Sequence, residues 1–204
     1  MLDFWQAHVT FALLAFVLLP VFRSHMGLKI AQLSGFLAIG FIPVDGLPLA
    51  AYLRGFSDDL AITTLVGLLY ATLVRMGLAA SLPPVARGQL LSLFAGLALF
   101  LYPATLGMTY LDPYRLGYNP RPMLVVMGLL AMAFVVLRNG LVVCMLGVAT
   151  LAFILELKPS PNYWDYLLDP FIALYCWGAL IFTGLKMAWR STMARRRLKR
   201  PVQL

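Results

Sequence analysis

The sequence predicts an all-α protein: a polytopic transmembrane helical bundle of about seven spans, amino terminus outside and carboxyl terminus inside. Three observations predict it. Hydrophobic residues make up 62% of the 204-residue chain and charged residues 12%, against about 45–50% and about 25% in a soluble domain. So little charge does not cover the surface of a water-soluble globule. The apolar residues come in blocks of about 15–24, long enough to cross a hydrocarbon core of roughly 30 Å. Finally, cations and acids divide between alternate loops as membrane orientation requires.

The first block, 4–22, is too long for a cleavable leader. It lacks a basic segment before it, and RSHMGLK follows in place of small residues, so it is expected to remain as a span. The second, 30–53, is interrupted by FIPVDGLPL. Pro43 and Pro48 each remove a helical donor. Either the helix ends at Pro43 and leaves Asp45 at headgroup level, or it breaks and re-enters with Asp45 as an intramembrane carboxylate facing a cavity or a cation. The third block, 60–82, follows RGFSDDL. Ser57 or Asp58 can cap its first amides, and both Asp58 and Asp59 complement its dipole. Capping accounts for one acid; a second, with Arg54 nearby, opens the alternative of a binding site.

The fourth block is 89–111. The fifth and sixth, 123–137 and 141–155, are separated by Arg138-Asn139-Gly140. A single helix there would run about 50 Å, so a hairpin turning at Asn-Gly is expected. The seventh is 168–189. Ala95, Gly96, Gly128, Ala131, Gly147 and Ala149 are small residues that let helices approach closely in a membrane. Residues 1–189 thus read as a single transmembrane domain, and 190–204 as a basic cytoplasmic tail.

Seven spans put Arg23, Lys29, Arg75, Arg87, Arg138, Lys186, Arg190, Arg195, Arg196, Arg197, Lys199 and Arg200 on the inner side. Only Arg54, Arg115, Arg121 and Lys158 lie outside, and every acid lies outside or near the outer boundary. The tail cations Arg190, Arg195, Arg196, Arg197, Lys199 and Arg200 suit the anionic inner leaflet. They also explain the net charge of +8 without nucleic acid. Short loops and a basic tail resemble a bacterial inner-membrane protein.

The outer loops carry a repeated phrase, LDPYRLGY at 111–118 and LDPFIALY at 168–175. Each places Asp at a cap position and Pro in the favoured place after it. Convergent cap chemistry accounts for the repeat as well as a duplicated unit does. Tyr110, Tyr114, Tyr118, Tyr163, Trp164 and Tyr166 stand around these caps, either as an interfacial belt or as part of a site. The candidate outer-face cluster is therefore Arg54, Asp58, Asp59, Asp112, Arg115, Arg121, Asp165 and Asp169. At least one of its arginines is expected to pair with an acid from another loop.

Two Cys and two His do not build a disulfide framework or a metal cage, and no metal or cofactor is expected. The paired His and Arg motifs of integral lipid phosphatases are missing. So are the spaced aspartates of CDP-alcohol phosphotransferases, a Ser–His protease pair and any Gly-rich phosphate loop. The leading expectation is a non-catalytic membrane subunit or scaffold whose charged, aromatic outer face holds a lipid headgroup or another membrane or periplasmic protein. The first alternative is a small transporter or lipid translocator using Asp45. The second is a transferase or hydrolase acting on outer-leaflet lipid, with an outer acid as acid or base and an arginine on phosphate.

Overall fold

Each apolar block folds into a helix, and the polar interruptions decide where each one starts and stops. The computed structural model describes residues 5–20 and 25–198, with the side chains of Ser57 and 194–198 outside that description. In chain order the described elements are α1 (Trp5–Leu18), α2 (Met26–Gly40), β1 (Pro43–Val44), β2 (Leu47–Pro48), α3 (Leu49–Ser57), α4 (Ile62–Met76) and α5 (Pro84–Thr105). A 3-10 turn (Pro113–Gly117) follows, then α6 (Pro120–Val136), α7 (Gly140–Ile154), α8 (Trp164–Leu167) and α9 (Pro170–Leu198). Pro84, Pro120 and Pro170 each open a helix, where the missing N–H is no loss and φ is already helical.

The helix of the second block ends before Pro43. α2 stops at Gly40, and Pro43–Val44 pairs antiparallel with Leu47–Pro48 around a two-residue turn. Asp45 and Gly46 both take positive φ there, 47° and 83°, as a type I′ hairpin turn demands. Asp45 is exposed at the tip, and the Tyr52 hydroxyl donates to Val44 O at 2.8 Å, tying the hairpin to α3. Residues 123–155 divide as the Arg138-Asn139-Gly140 signal predicts. Arg138 takes φ 56°, Asn139 caps α7, and α6 and α7 pack on each other.

Length separates the helices into two groups. α5 has 22 residues, and 24 residues of α9 (Pro170–Met193) form a second apolar stretch. At about 1.5 Å per residue each exceeds the roughly 30 Å of a hydrocarbon core, so two helices are long and apolar enough to cross a membrane. α1, α2, α4, α6 and α7 are apolar but hold 14 to 17 residues. α9 continues past residue 190 to Leu198, so the segment read as a tail begins as helix. The side chains of Arg195, Arg196 and Arg197, together with Arg23, Lys199 and Arg200, lie outside the described residues.

The core runs along α7, which packs between α4 and α6, and along the α5–α9 contact. Phe94, Ala98, Val142, Met145, Leu146 and Ala149 are fully buried. The small residues work differently from expectation. Ala95 and Ala149 are buried and Ala131 is half-buried, but Gly96, Gly128 and Gly147 have nothing near the place a Cβ would occupy. Of these six residues the alanines are packed and the glycines are open. One close glycine lies elsewhere, at Gly40, where a Cβ would stand 3.3 Å from Phe11 and 3.6 Å from Ala50.

Candidate functional site

A buried lysine organises one end of the bundle. Lys158, in the loop between α7 and α8, is only 7% exposed. Its ammonium donates to Asp59 O at 2.8 Å, Leu60 O at 3.2 Å and Asp165 O at 2.8 Å. Three ammonium protons meet three carbonyls, which is what a buried Lys needs to be tolerated. Leu60 O also accepts from the Gln6 amide at the start of α1. Burial still pushes the Lys158 ammonium below its ordinary 10.5, and Asp165, Asp59, Asp169 and Asp58 pull it partly back.

The acids around it are held in place. Asp165 accepts from the Tyr114 hydroxyl at 3.1 Å and from Ser160. Burial, then the Asp165 carboxylate, raises the Tyr114 phenol above its usual range. Asp169 is buried and works at two helix ends. Oδ1 accepts from Ile172 N in the first turn of α9, and Oδ2 accepts from Ala61 N ahead of α4, both at 2.8 Å. The amide just ahead of α4 is therefore held by a residue 108 positions away. Asp58, one of the two caps expected from sequence, instead closes α3 with φ 56°, its amide donating to Arg54 O at 2.7 Å.

The loop beneath these acids is a plug of aromatic residues. Tyr163, Trp164 and Tyr166 are buried, so half of the aromatic set read as a belt or site is core. Trp164 donates to Pro113 O at 2.9 Å, and the Tyr163 and Thr150 hydroxyls meet at 2.6 Å. Asn162, fully buried, donates to Tyr114 O at 3.0 Å and accepts from Trp164 N at 2.9 Å. Gly117 makes this possible: a Cβ there would stand 2.6 Å from Asn162 Cγ and 2.9 Å from Trp164 Cδ1.

The other candidates separate. Arg54, in the last turn of α3, pairs with Asp59 just beyond that helix at 2.9 Å. Among the described residues Arg115 and Arg121 make no ion pair, and the bonds that join loops at this end run from the Lys158 ammonium to backbone carbonyls. Asp112 stands at the cap of the 3-10 turn without a side-chain capping bond. It is exposed, as are Arg115 and Arg121. So are Leu106, Met108, Tyr110, Leu111, Leu116 and Tyr118. This loop stands on the plug through Pro113 and Tyr114 and leaves these other side chains facing outward. Asp45 belongs to a different region, the hairpin before α3.

Sequence reasoning missed Gln6, Ser160, Asn162 and above all Lys158. Its setting between apolar residues and Pro159-Ser160-Pro161 marks a loop, and nothing in that spacing says that the loop folds inward. Among the described residues no group of three or more His, Cys, Asp or Glu is arranged to hold a metal. Compared with protein-family models, with curated proteins and with solved structures, the chain matches none.

Proposed function

We propose that the protein is an integral inner-membrane subunit of a bacterial cell, crossing seven times with its amino terminus outside, and that its outer loop 106–121 docks a partner protein without catalysis. The observation that carries this reading is the Lys158 knot. Lys158, Asp165 and Asp169 spend their hydrogen bonds on other parts of the chain, which suits a rigid platform better than a reactive centre. The loop above it has the opposite character. Tyr110, Leu111, Tyr118, Arg115 and Arg121 are exposed side by side along the chain, and aromatics with Arg are the residues enriched at interface cores.

The membrane placement rests on the outward faces of the helices. Leu99, Leu129 and Phe182 are 65 to 67% exposed, and exposed apolar surface spread over so many helices needs lipid to cover it. Short spans such as α1 and α7 suit a locally thinned bilayer.

The test is site-directed photocrosslinking in cells. A crosslinker at Tyr118 is expected to capture one protein in stoichiometric amount, and one at Leu129, on the lipid-facing side, to capture none. Reversing Arg115 and Arg121 to Glu should abolish the Tyr118 product. Crosslinks only to lipid would move the reading to headgroup binding, and an empty loop would end it.

A further inference from the structure

At the other end of the bundle, α5 and the second half of α9 enclose a cleft of about 470 Å³, inside the roughly 300–1,000 Å³ typical of small-molecule sites. Three cations line it: Arg87 from the first turns of α5, and Lys186 and Arg190 one helical turn apart on α9. None of the lining residues is acidic. Among the described residues no acid pairs with any of these three charges. The rest of the wall is largely apolar, with Ala179, Phe182 and Met187 continuing along α9.

We propose that this cleft binds an anionic phospholipid, its phosphate between Arg87, Lys186 and Arg190 and an acyl chain against Phe182 and Met187. The inference rests on the membrane placement proposed above. Charge complementarity selects an anion, and Arg is suited to phosphate through its planar fork of donors. The apolar wall selects a lipid over free phosphate, because a hydrated inorganic ion gains nothing from Phe182 and Met187. Basic pockets between helices on the cytoplasmic side are a known physical solution for anionic headgroups.

The full chain, purified in mild detergent, is examined by native mass spectrometry with phosphatidylglycerol, phosphatidylcholine or inorganic phosphate added. Phosphatidylglycerol is expected to stay bound, phosphatidylcholine to dissociate, and phosphate not to displace the lipid. Arg87→Gln, Lys186→Gln and Arg190→Gln should each weaken retention about fivefold, the equivalent of roughly 1 kcal/mol per cation. Arg138→Gln, a cation outside the cleft, should leave retention unchanged. Equal retention of the two lipids overturns the proposal, as does displacement by phosphate or an equal loss with Arg138→Gln. If the substituted chains do not fold, the two-lipid comparison on the unsubstituted chain decides alone. A chain that stays dispersed without detergent would defeat the membrane placement itself; equal lipid retention in an inserted chain defeats only this site.

Discussion

At the scale of single residues, Lys158 matters because a buried ammonium is costly unless every proton is satisfied. Lys158→Met would strip partners from Asp59 O, Leu60 O and Asp165 O, and should cost about 3 kcal/mol of stability. A change within the surface range of about 0.5 kcal/mol would show that the knot is not structural. The pH dependence has a definite sign. The folded chain holds this proton less tightly than the ordinary 10.5. Between the lowered value and 10.5 the unfolded chain therefore binds the extra proton, and stability rises with pH. The thermal-stability gap between the native chain and Lys158→Met should widen as pH rises toward 10.5; a gap that narrows contradicts the assignment. Gly117→Ala is the steric counterpart. Its methyl would meet Asn162 and Trp164, and overpacking of this kind costs about 1–3 kcal/mol.

At the scale of elements, the repeated Leu-Asp-Pro phrase is one sequence in two environments. Asp169 caps α9 and also holds the amide ahead of α4, whereas Asp112 heads a 3-10 turn without a capping bond. Asp169→Ala should cost about 1–4 kcal/mol, twice the usual range for one cap, and Asp112→Ala about 0.5 or less. Cys176 is a buried thiol and Cys144 an exposed one. In a Cys144→Ser background, thiol-reactive dye uptake on heating reads unfolding directly, and equal shifts for the two aspartates would refute the distinction. Asn139 shows the same economy. One buried side chain caps α7 and donates to Ala86 O at 2.9 Å and Gln89 at 3.0 Å, binding the α6–α7 turn to the start of α5.

At the scale of the whole molecule, charge is sorted by helix end. Lys29 donates to Met76 O at 3.0 Å at the end of α4, and Arg75 donates to Phe16 O at 2.7 Å at the end of α1. Cations thus serve helix carboxyl ends on one side, while Asp169 serves amino ends on the other. Helix dipoles favour this arrangement. For the proposed orientation, alkaline phosphatase fused after Tyr118 should be active and fused after Lys199 inactive; the reverse pattern, or activity at both, contradicts seven spans. Replacing Arg195, Arg196 and Arg197 by Gln should weaken tail binding to anionic vesicles, with a spin label reporting greater distance from the bilayer. Identical proximity before and after would remove the role given to the tail.

The sequence by itself determined the helical class and the places where helices stop and turn, because these follow from local rules. Proline removes a donor, Asp-Gly and Asn-Gly turn the chain, and apolar length reports on helix content. It also pointed to Arg54, Asp59, Asp165 and Asp169 as residues of one face. Only the tertiary structure decided what they do. That Lys158 turns inward, that Asp169 reaches Ala61 across 108 positions, and that Tyr163, Trp164 and Tyr166 are core depends on loops meeting after the helices have packed. Burial and long-range hydrogen bonding have no period along the chain, so no local spacing announces them.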